Sequence, residues 1–253
     1  MKLNHKIEIT GIIGCMCFSL IALMYGMNLS AQPQITAYTE IGTNCISDRF
    51  FIKTAGLAAY QFRNNNIEAG LQTDLKSNNE KIASGYEVSL SRRFFIRNYP
   101  FEVQSFFILT PFSNLFHATN LGFLTKMRRN HFAIQAGTNF RTYVYHNSRI
   151  NEYESSTTSK IRETWNLMYS FSYYLKPVDH WWNIGLSITD IDHFNINQET
   201  NPFWILGTSC KLRSNLRLYG ETLYKSAGAF NLHVNYFGFY FRTGLIWNIN
   251  LKT

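Results

Sequence analysis

Residues 131–144, HFAIQAGTNFRTYV, decide the fold class of this chain. Two sets of side chains alternate there, one mainly apolar and the other mainly polar or small: Phe132, Ile134, Ala136, Thr138, Phe140, Thr142 and Val144, against His131, Ala133, Gln135, Gly137, Asn139, Arg141 and Tyr143. A period of two is typical of a β-strand with two unlike faces, because successive side chains point to opposite sides. The stretch therefore predicts a strand with one apolar face.

The same alternation recurs throughout the chain after residue 31. It predicts further strands at residues 34–46, 50–62, 66–76, 85–96, 101–110, 118–127, 164–175, 181–190, 202–212, 216–225, 229–237 and 239–251. Short breaks rich in Asn, Pro and Ser, which favour turns, alternate with longer polar breaks at residues 77–84, 145–163 and 190–201. Tight turns that alternate with long loops are typical of a transmembrane β-barrel.

A secreted β-sandwich is the alternative all-β fold, since it also has many alternating strands. Strands of about ten residues match the ~9–11 needed to cross a bilayer at a tilt. Aromatic residues make up 16% of the chain and gather near the predicted strand ends, where a barrel has its interfacial girdles: Tyr99, Phe101, Trp165, Trp181, Trp182, Trp204, Tyr236 and Phe237. We therefore predict an all-β, transmembrane, antiparallel up-and-down β-barrel.

The number of strands is fixed less firmly by the pattern. The predicted segments total thirteen, whereas single-chain bacterial barrels have an even number of strands. Either residues 34–46 extend before the barrel, or one carboxy-terminal break is a bulge. We predict twelve strands, with ten and fourteen as alternatives.

The amino terminus resembles a secretory signal peptide. Lys2 and Lys6 precede an almost wholly apolar run from Gly11 to Met24, and small Ala31 occupies the position before a cut. The run of about 14 residues is shorter than the ~20 of a membrane-spanning helix, which argues against an uncleaved anchor. We predict cleavage after Ala31, leaving residues 32–253 as the barrel in the cell outer membrane.

The charge balance bears on the partners of an exported protein. Lys and Arg outnumber Asp and Glu by 24 to 16, so the formal net charge is +8. The basic residues form no run, and exported proteins rarely meet nucleic acid, so we expect no nucleic-acid partner. We expect contact with outer-membrane lipids and lipopolysaccharide, whose anionic groups attract basic side chains.

The signal peptide, the aromatic strands and the last strand, Phe239 to Leu251, resemble those of small outer-membrane β-barrel proteins of Gram-negative bacteria. The Asn-rich turns resemble those of the Bacteroidetes kind. The resemblance is architectural and covers residues 32–253, but no motif identifies one functional family. The chain also departs from many such barrels, because it ends in Asn-Leu-Lys-Thr and lacks a terminal aromatic residue.

The polar faces of the predicted strands carry charges of both signs. We expect these side chains to line the lumen: Lys53, Glu68, Glu87, Arg93, Glu102, Arg141, Arg217, Glu221, His233 and Arg242. Charged rings can filter solutes in a pore, or opposite charges can form a salt-bridged interior. The balance of signs favours paired charges and a lumen with a small channel or none.

Candidates for catalysis and metal binding are few. His146 and Ser148 faintly resemble the His and Ser of outer-membrane phospholipases, in which a base activates a serine nucleophile. The stretch Asp190-Ile191-Asp192-His193 comes nearest to a cation site, but one short acidic stretch is weak evidence for a metal. We expect no metal, no cofactor and no catalysis.

Three functional classes remain open at this point. A structural or accessory barrel is our first expectation. A channel or transporter for a small polar solute is the alternative, and a hydrolase acting on membrane lipid or lipopolysaccharide is the third option. The pattern does not decide the oligomeric state or the roles of the three long loops.

Overall fold

The computed structural model describes residues 32–44, 49–75, 83–97, 99–111, 116–145, 162–196, 202–225 and 238–249. These residues form fourteen strands: β1 (Gln32–Asn44), β2 (Arg49–Phe62), β3 (Asn65–Asp74), β4 (Ala83–Ile96), β5 (Tyr99–Pro111), β6 (Phe116–Arg129), β7 (Phe132–Tyr145), β8 (Arg162–Tyr174), β9 (Trp182–Thr189), β10 (Ile191–Asp192), β11 (Asn195–Ile196), β12 (Phe203–Arg213), β13 (Leu216–Lys225) and β14 (Gly238–Asn248).

Twelve of these strands form a closed antiparallel barrel, which confirms the predicted fold and strand number. Each wall strand pairs with its neighbours in chain order, and β1 pairs with β14 to close the wall. β10 and β11 form a separate two-stranded hairpin. The predicted strand at 34–46 is wall strand β1 and not an extension, whereas the predicted strand at 229–237 lies outside the described residues.

The two faces of the wall differ as the alternation predicts. Buried polar side chains on the inner face include Gln72, Ser89, Asn120, Asn139 and Ser170. Large apolar side chains are exposed on the outer face, among them Leu71, Leu90, Leu121, Phe123, Ile134, Phe171, Leu206, Phe241 and Trp247. A closed barrel satisfies its backbone groups between strands, so this apolar exterior is suited to lipid.

The short turns use a left-handed backbone conformation. Arg63, Arg97 and Asn130 each have a φ between 45° and 51°, and each lies in or beside the break between two antiparallel strands. Hairpin turns whose twist matches that of their strands need positive φ values. These turns therefore lie where the sequence predicts tight connections.

The wall is irregular at β9. This strand pairs with β12 from Phe203↔Thr189 to Cys210↔Trp182, but it pairs with only five residues of β8, from Ser170 to Tyr174. β9 ends at Thr189, and after Asp190 the chain turns into the lumen, where β10 and β11 form their hairpin. We call residues 190–196 the plug. The sequence predicts an ordinary long loop at 190–201, so the inward fold of its first seven residues is a new finding.

Candidate functional site: a plugged lumen

Arg242 anchors the plug to the wall. On the inner face of β14 it lies directly between Glu40 of β1 and Glu221 of β13 in the strand register. Its Nη2 donates to Glu40 at 2.6 Å and its Nη1 to Glu221 at 3.1 Å. Both guanidinium nitrogens also donate to Asp192 of the plug, each at 2.7 Å. One cation therefore binds three carboxylates, two from the wall and one from the plug.

Most of this cluster is shielded from water, and only Glu221 is partly exposed, at 27% of its side chain. Arg242 and Glu40 are each 1% exposed, and Asp192 is also buried. The Cζ atom of Arg242 lies 4.7 Å from the ring centroid of Tyr38, so an aromatic face covers the guanidinium. Charge-assisted, forked hydrogen bonds of this kind are strong and geometrically specific. We call Glu40, Asp192, Glu221 and Arg242 the latch.

Phe194 fills a seat on the second side of the lumen. Its side chain is 2% exposed and packs in one cluster with Tyr38, Ala55 and Leu57. The seat exists because two inward positions are glycine: a Cβ on Gly70 would lie 3.0 Å from the Phe194 ring, and one on Gly85 would lie 3.1 Å from it. The missing side chains of these glycines thus make room for the ring.

Ile196 contacts the wall on the third side of the lumen. It is buried in an apolar cluster with four inward side chains of β5, β6 and β8: Phe106, Ile108, Leu124 and Met168. Arg141 of β7 donates from Nη2 to the backbone oxygen of Ile196 at 2.8 Å. The plug therefore contacts inward residues of β14 through Asp192, of β1 to β4 through Phe194, and of β5 to β8 through Ile196.

His193 forms the tip of the hairpin, at φ 42°. Its ring lies 5.5 Å from that of Tyr38. Enclosure in the lumen lowers the pKa of His193 to about 4, and the positive charge of Arg242 acts in the same direction. Burial alone would raise the pKa of Asp192, but the charge and hydrogen bonds of Arg242 stabilise its carboxylate and hold the pKa below its usual value. At neutral pH the plug therefore holds a neutral imidazole beside an ionised, paired carboxylate.

A second charged cluster lies towards the other end of the barrel. Glu102 of β5 accepts from Nε of Arg93 at 2.9 Å and lies 3.7 Å from Nζ of Lys126. The three residues are cross-strand neighbours on β4, β5 and β6. The Arg93 side chain is 55% exposed, so this cluster is much wetter than the latch and stabilises the barrel less.

The structure brings together only some of the residues that the sequence singles out. Glu221 and Arg242 meet in the latch, and Arg93 pairs with Glu102. The residues on the inner face of β2, β3, β4 and β13 without an ion pair among the described residues are Lys53, Glu68, Glu87 and Arg217. Arg141 binds amide and carbonyl oxygens. The expectation that acids and bases pair across the whole lumen is therefore too general.

Sequence reasoning missed Glu40, Lys126 and the role of Asp192. Glu40 lies on the polar side of a segment that could have preceded the barrel, so its partner was not evident. Asp192 precedes Phe194 and Ile196, and large apolar residues inside a polar loop are a signal of burial. That signal is present in the sequence at 190–196, but it does not indicate which wall the loop contacts.

Three of the sequence candidates lie outside the described residues: His146, Ser148 and His233. In the described part of the chain, no group of three or more His, Cys, Asp or Glu side chains is arranged to hold a metal ion. Asp192, the central residue of the candidate cation stretch, has both carboxylate oxygens bound to Arg242. The same described ranges contain no helix long and apolar enough to cross a membrane.

Comparisons with known proteins return other barrels. The translocator domain of the autotransporter NalP from Neisseria meningitidis matches with 9% identity, a TM-score of 0.46, and coverage of 97% of this chain and 98% of that one. Omp33 of Acinetobacter baumannii matches with 11% identity, a TM-score of 0.45, and coverage of 88% and 100%. An outer membrane channel from Pseudomonas putida F1 matches with 10% identity, a TM-score of 0.47, and coverage of 88% and 97%.

All three TM-scores lie below 0.5. No protein-family model matches the chain, and no curated protein matches it. The closed wall, the apolar exterior and the polar interior are seen in the described strands themselves. They have the architecture of an outer-membrane β-barrel, and its lumen is occupied by the plug.

Proposed function

We propose that this protein is an outer-membrane barrel held closed by its plug, and that it serves in this state as a structural or accessory barrel. The observation that carries the proposal is the forked contact of Arg242 with Asp192, both of them buried. A lumen meant for free diffusion would be left open at this point, because 16-stranded porins keep an aqueous channel. Here the plug lies in the lumen of the narrower barrel.

Regulated passage of a small polar solute is the second candidate. One observation favours it: in the described part of the chain the two strands of the hairpin pair only with each other, and its hydrogen bonds to the wall are made by side chains of the wall, Arg242 and Arg141. Such a segment can leave without breaking any strand pair of the barrel. The inner face left behind carries both signs of charge, which suits a small polar or zwitterionic solute more than a large ion.

The proposed location rests on the sequence and on the apolar exterior. We propose export through the signal peptide, cleavage after Ala31 and a mature chain that begins at Gln32. Mass spectrometry of the protein purified from outer membranes tests the cleavage site. A folded barrel should also migrate differently in detergent gels before and after heating, and recovery in the soluble periplasm with no such shift would contradict the location.

Lipid hydrolysis remains the third option and rests only on His146 and Ser148. If the barrel hydrolyses phospholipid or lipopolysaccharide, Ser148→Ala should abolish the activity, because the hydroxyl would be the nucleophile. The matched control is Ser89→Ala, which changes a buried lumen serine of β4. Activity that survives Ser148→Ala would exclude this pair as the catalytic group.

Electrolyte conductance in planar bilayers tests the closed state. The unmodified protein at pH 7 should give little or no steady conductance. A variant that lacks residues 191–196 should conduct steadily, because it has no hairpin in the lumen. Its wall should still form, since seven residues remain to connect the paired strand ends Thr189 and Phe203. A control variant, Gly56→Val, alters the outer face, where an added Cβ meets nothing within 4 Å. Equal, large conductance of the unmodified protein and the deletion variant would contradict the proposed closure.

A further inference from the structure

Among the described strands, none pairs with one edge of the upper part of β8. On one side β8 pairs with β7 along its length, from Tyr143↔Arg162 to Phe132↔Tyr173. On the other side β9 reaches only Ser170, so no described strand pairs with residues 162–169. Open strand edges are ready to accept another strand. The edge also carries an exposed aromatic residue, Trp165, which is 72% exposed on the outer face.

The plug is the continuation of the strand that this edge lacks. Extending the β8–β9 register one residue at a time places Asp190 opposite Tyr169, Asp192 opposite Leu167 and Phe194 opposite Trp165. The first step of that extension already exists, because the backbone N–H of Asp190 donates to the backbone oxygen of Tyr169 at 2.9 Å. The chain departs from the register only after Asp190.

The departure point is a side-chain contact. Thr189 accepts from the backbone N–H of Ile191 and donates to the backbone oxygen of the same residue, both at 3.0 Å through Oγ1. In an extended β9 these two backbone groups of Ile191 would point towards β12, because the backbone N–H of the preceding residue, Asp190, faces β8. Local side-chain bonds to the backbone compete with strand pairing in this way. Thr189 therefore marks the hinge of the plug.

The extended register sets the direction of each side chain. On β9 the inward residues are Asn183 and Thr189, so an extended strand would direct Ile191 inward and Phe194 outward. Asp190 and Asp192 would also turn outward, which costs less for a carboxylate than for Lys or Arg and least near the membrane interface. Ile191 would face Met168 across the strands, and Phe194 would meet Trp165. Aromatic cross-strand pairs stabilise antiparallel sheets. The plug residue that is most deeply buried in the lumen would thus cover the exposed tryptophan of the free edge.

We propose that residues 190–196 exchange between two seats, the lumen and the free edge of β8, and that the second seat opens the barrel. The inference rests on the proposed closure by the plug and adds the movement by which the lumen would open. When the segment joins the wall, β9 lengthens and the latch loses Asp192. A row of alternating charge then faces the open lumen on four neighbouring strands: Lys53, Glu40, Arg242 and Glu221. The row favours small polar solutes with charges of both signs.

Engineered disulfides test the exchange in a background in which Cys45 and Cys210 are replaced by serine. Trp165→Cys with Phe194→Cys lies in the proposed register, as does Leu167→Cys with Asp192→Cys. The control, Leu167→Cys with Phe194→Cys, is displaced by two residues, and such diagonal positions lie ~7–8 Å apart, beyond the reach of most disulfides. Mild oxidation of folded protein in bilayers should link both in-register pairs much faster than the control.

Conductance supplies the second measurement. The Trp165–Phe194 disulfide should raise the steady conductance to that of the variant lacking residues 191–196, and reduction should lower it again. The inference is overturned if neither in-register pair links faster than the control, or if the link forms without a rise in conductance. These results are distinct from failure of the closure itself, in which the unmodified protein already conducts like the deletion variant.

Discussion

Asp192 and Arg242 are 50 residues apart in the chain, yet each carboxylate oxygen of Asp192 accepts a hydrogen bond of 2.7 Å from the Arg242 guanidinium. The two residues belong to different parts of the molecule, since Arg242 lies in the barrel wall and Asp192 in the plug. Glu40 and Glu221 hold the guanidinium from the neighbouring strands. The wall carboxylates therefore help to fix the direction of the guanidinium, and its forked geometry makes the contact with Asp192 specific.

Replacing Asp192 by Asn should loosen the plug and leave the wall intact. The amide has nearly the same shape but no charge, while Arg242 keeps both wall carboxylates. Hydrogen bonds to charged groups contribute roughly 1.5–3 kcal/mol, so we expect the open fraction in single-channel recordings to rise about ten- to a hundredfold. Asp179→Asn, in the exposed turn between β8 and β9, is the matched control. Equal open fractions in the two variants would show that the latch does not close the lumen.

Filling the seat of Phe194 should displace the plug without changing any charge. In Gly85→Val the new Cβ would lie 3.1 Å from the ring, and the two γ-methyl groups would occupy its volume. Overpacking costs about 1–3 kcal/mol, so uptake of a small sugar by liposomes should increase roughly tenfold. Gly56→Val adds the same side chain to the outer face, where nothing lies within 4 Å of the Cβ. Similar uptake by both variants would argue that Phe194 is not seated between the glycines.

The fold could be predicted from the sequence because the alternation at 131–144 is repeated in every wall strand. Register follows from alternation, since a slip of one residue would turn Arg141 towards lipid. The plug could not be predicted with the same rules. Its strands are only two residues long, and the partners of Phe194 and Ile196 are far away in sequence. The local alternation of apolar and polar residues carries no information about contacts between residues so far apart in the chain.

The candidate site could be predicted only in part, for the same reason. Glu221 and Arg242 lie on long alternating strands, so their inward direction can be read from the chain. Their pairing depends on which strands are neighbours after closure, and Glu40 becomes a neighbour of Arg242 only through the β1–β14 seam. Closure joins the two ends of the described chain, and local pattern does not reveal it.

Acid should favour the open state. The pKa of His193 is about 4 in the plug and about 6.5 in water. Between these two pH values His193 is therefore protonated in the released segment and neutral in the seated one. The equilibrium constant that favours the seated segment over the released one keeps its full value above pH 6.5. It falls by up to about tenfold per pH unit between pH 6.5 and pH 4. The lowered pKa of Asp192 acts in the same direction, but only near pH 4 and below. The charged and titratable groups near His193 are Tyr38, Lys126, Asp192 and Arg242.

Single-channel recordings between pH 7.5 and pH 4.5 measure this dependence. The open fraction of the unmodified protein should rise as the pH falls through 6.5. His193→Gln, which cannot be protonated, should show a nearly flat profile over the same range. If the open fraction does not change with pH in either protein, or if it changes equally in the His193→Gln variant, His193 is not the group whose protonation opens the barrel.

The two charged clusters should differ in their effect on stability. Arg242→Met leaves three carboxylates without their cation in a buried site, which costs roughly 3–5 kcal/mol. Arg93→Met removes a partner of Glu102 at an exposed position and should cost about 0–1 kcal/mol. Urea titrations that follow the folded, unheated band on detergent gels give both values. Equal destabilisation would mean that water reaches the latch as freely as it reaches Arg93.

Disulfide formation between Gly85→Cys and Phe194→Cys, in outer membranes and without Cys45 and Cys210, tests the central claim most directly. A Cβ at position 85 would lie 3.3 Å from the Cβ of residue 194, close to the ~3.5–4.5 Å of a disulfide. We predict that mild oxidation at pH 7 links nearly all of the folded protein, whereas Gly56→Cys with Phe194→Cys stays unlinked. If the 85–194 pair also stays unlinked in folded barrels, residues 190–196 do not fill the lumen.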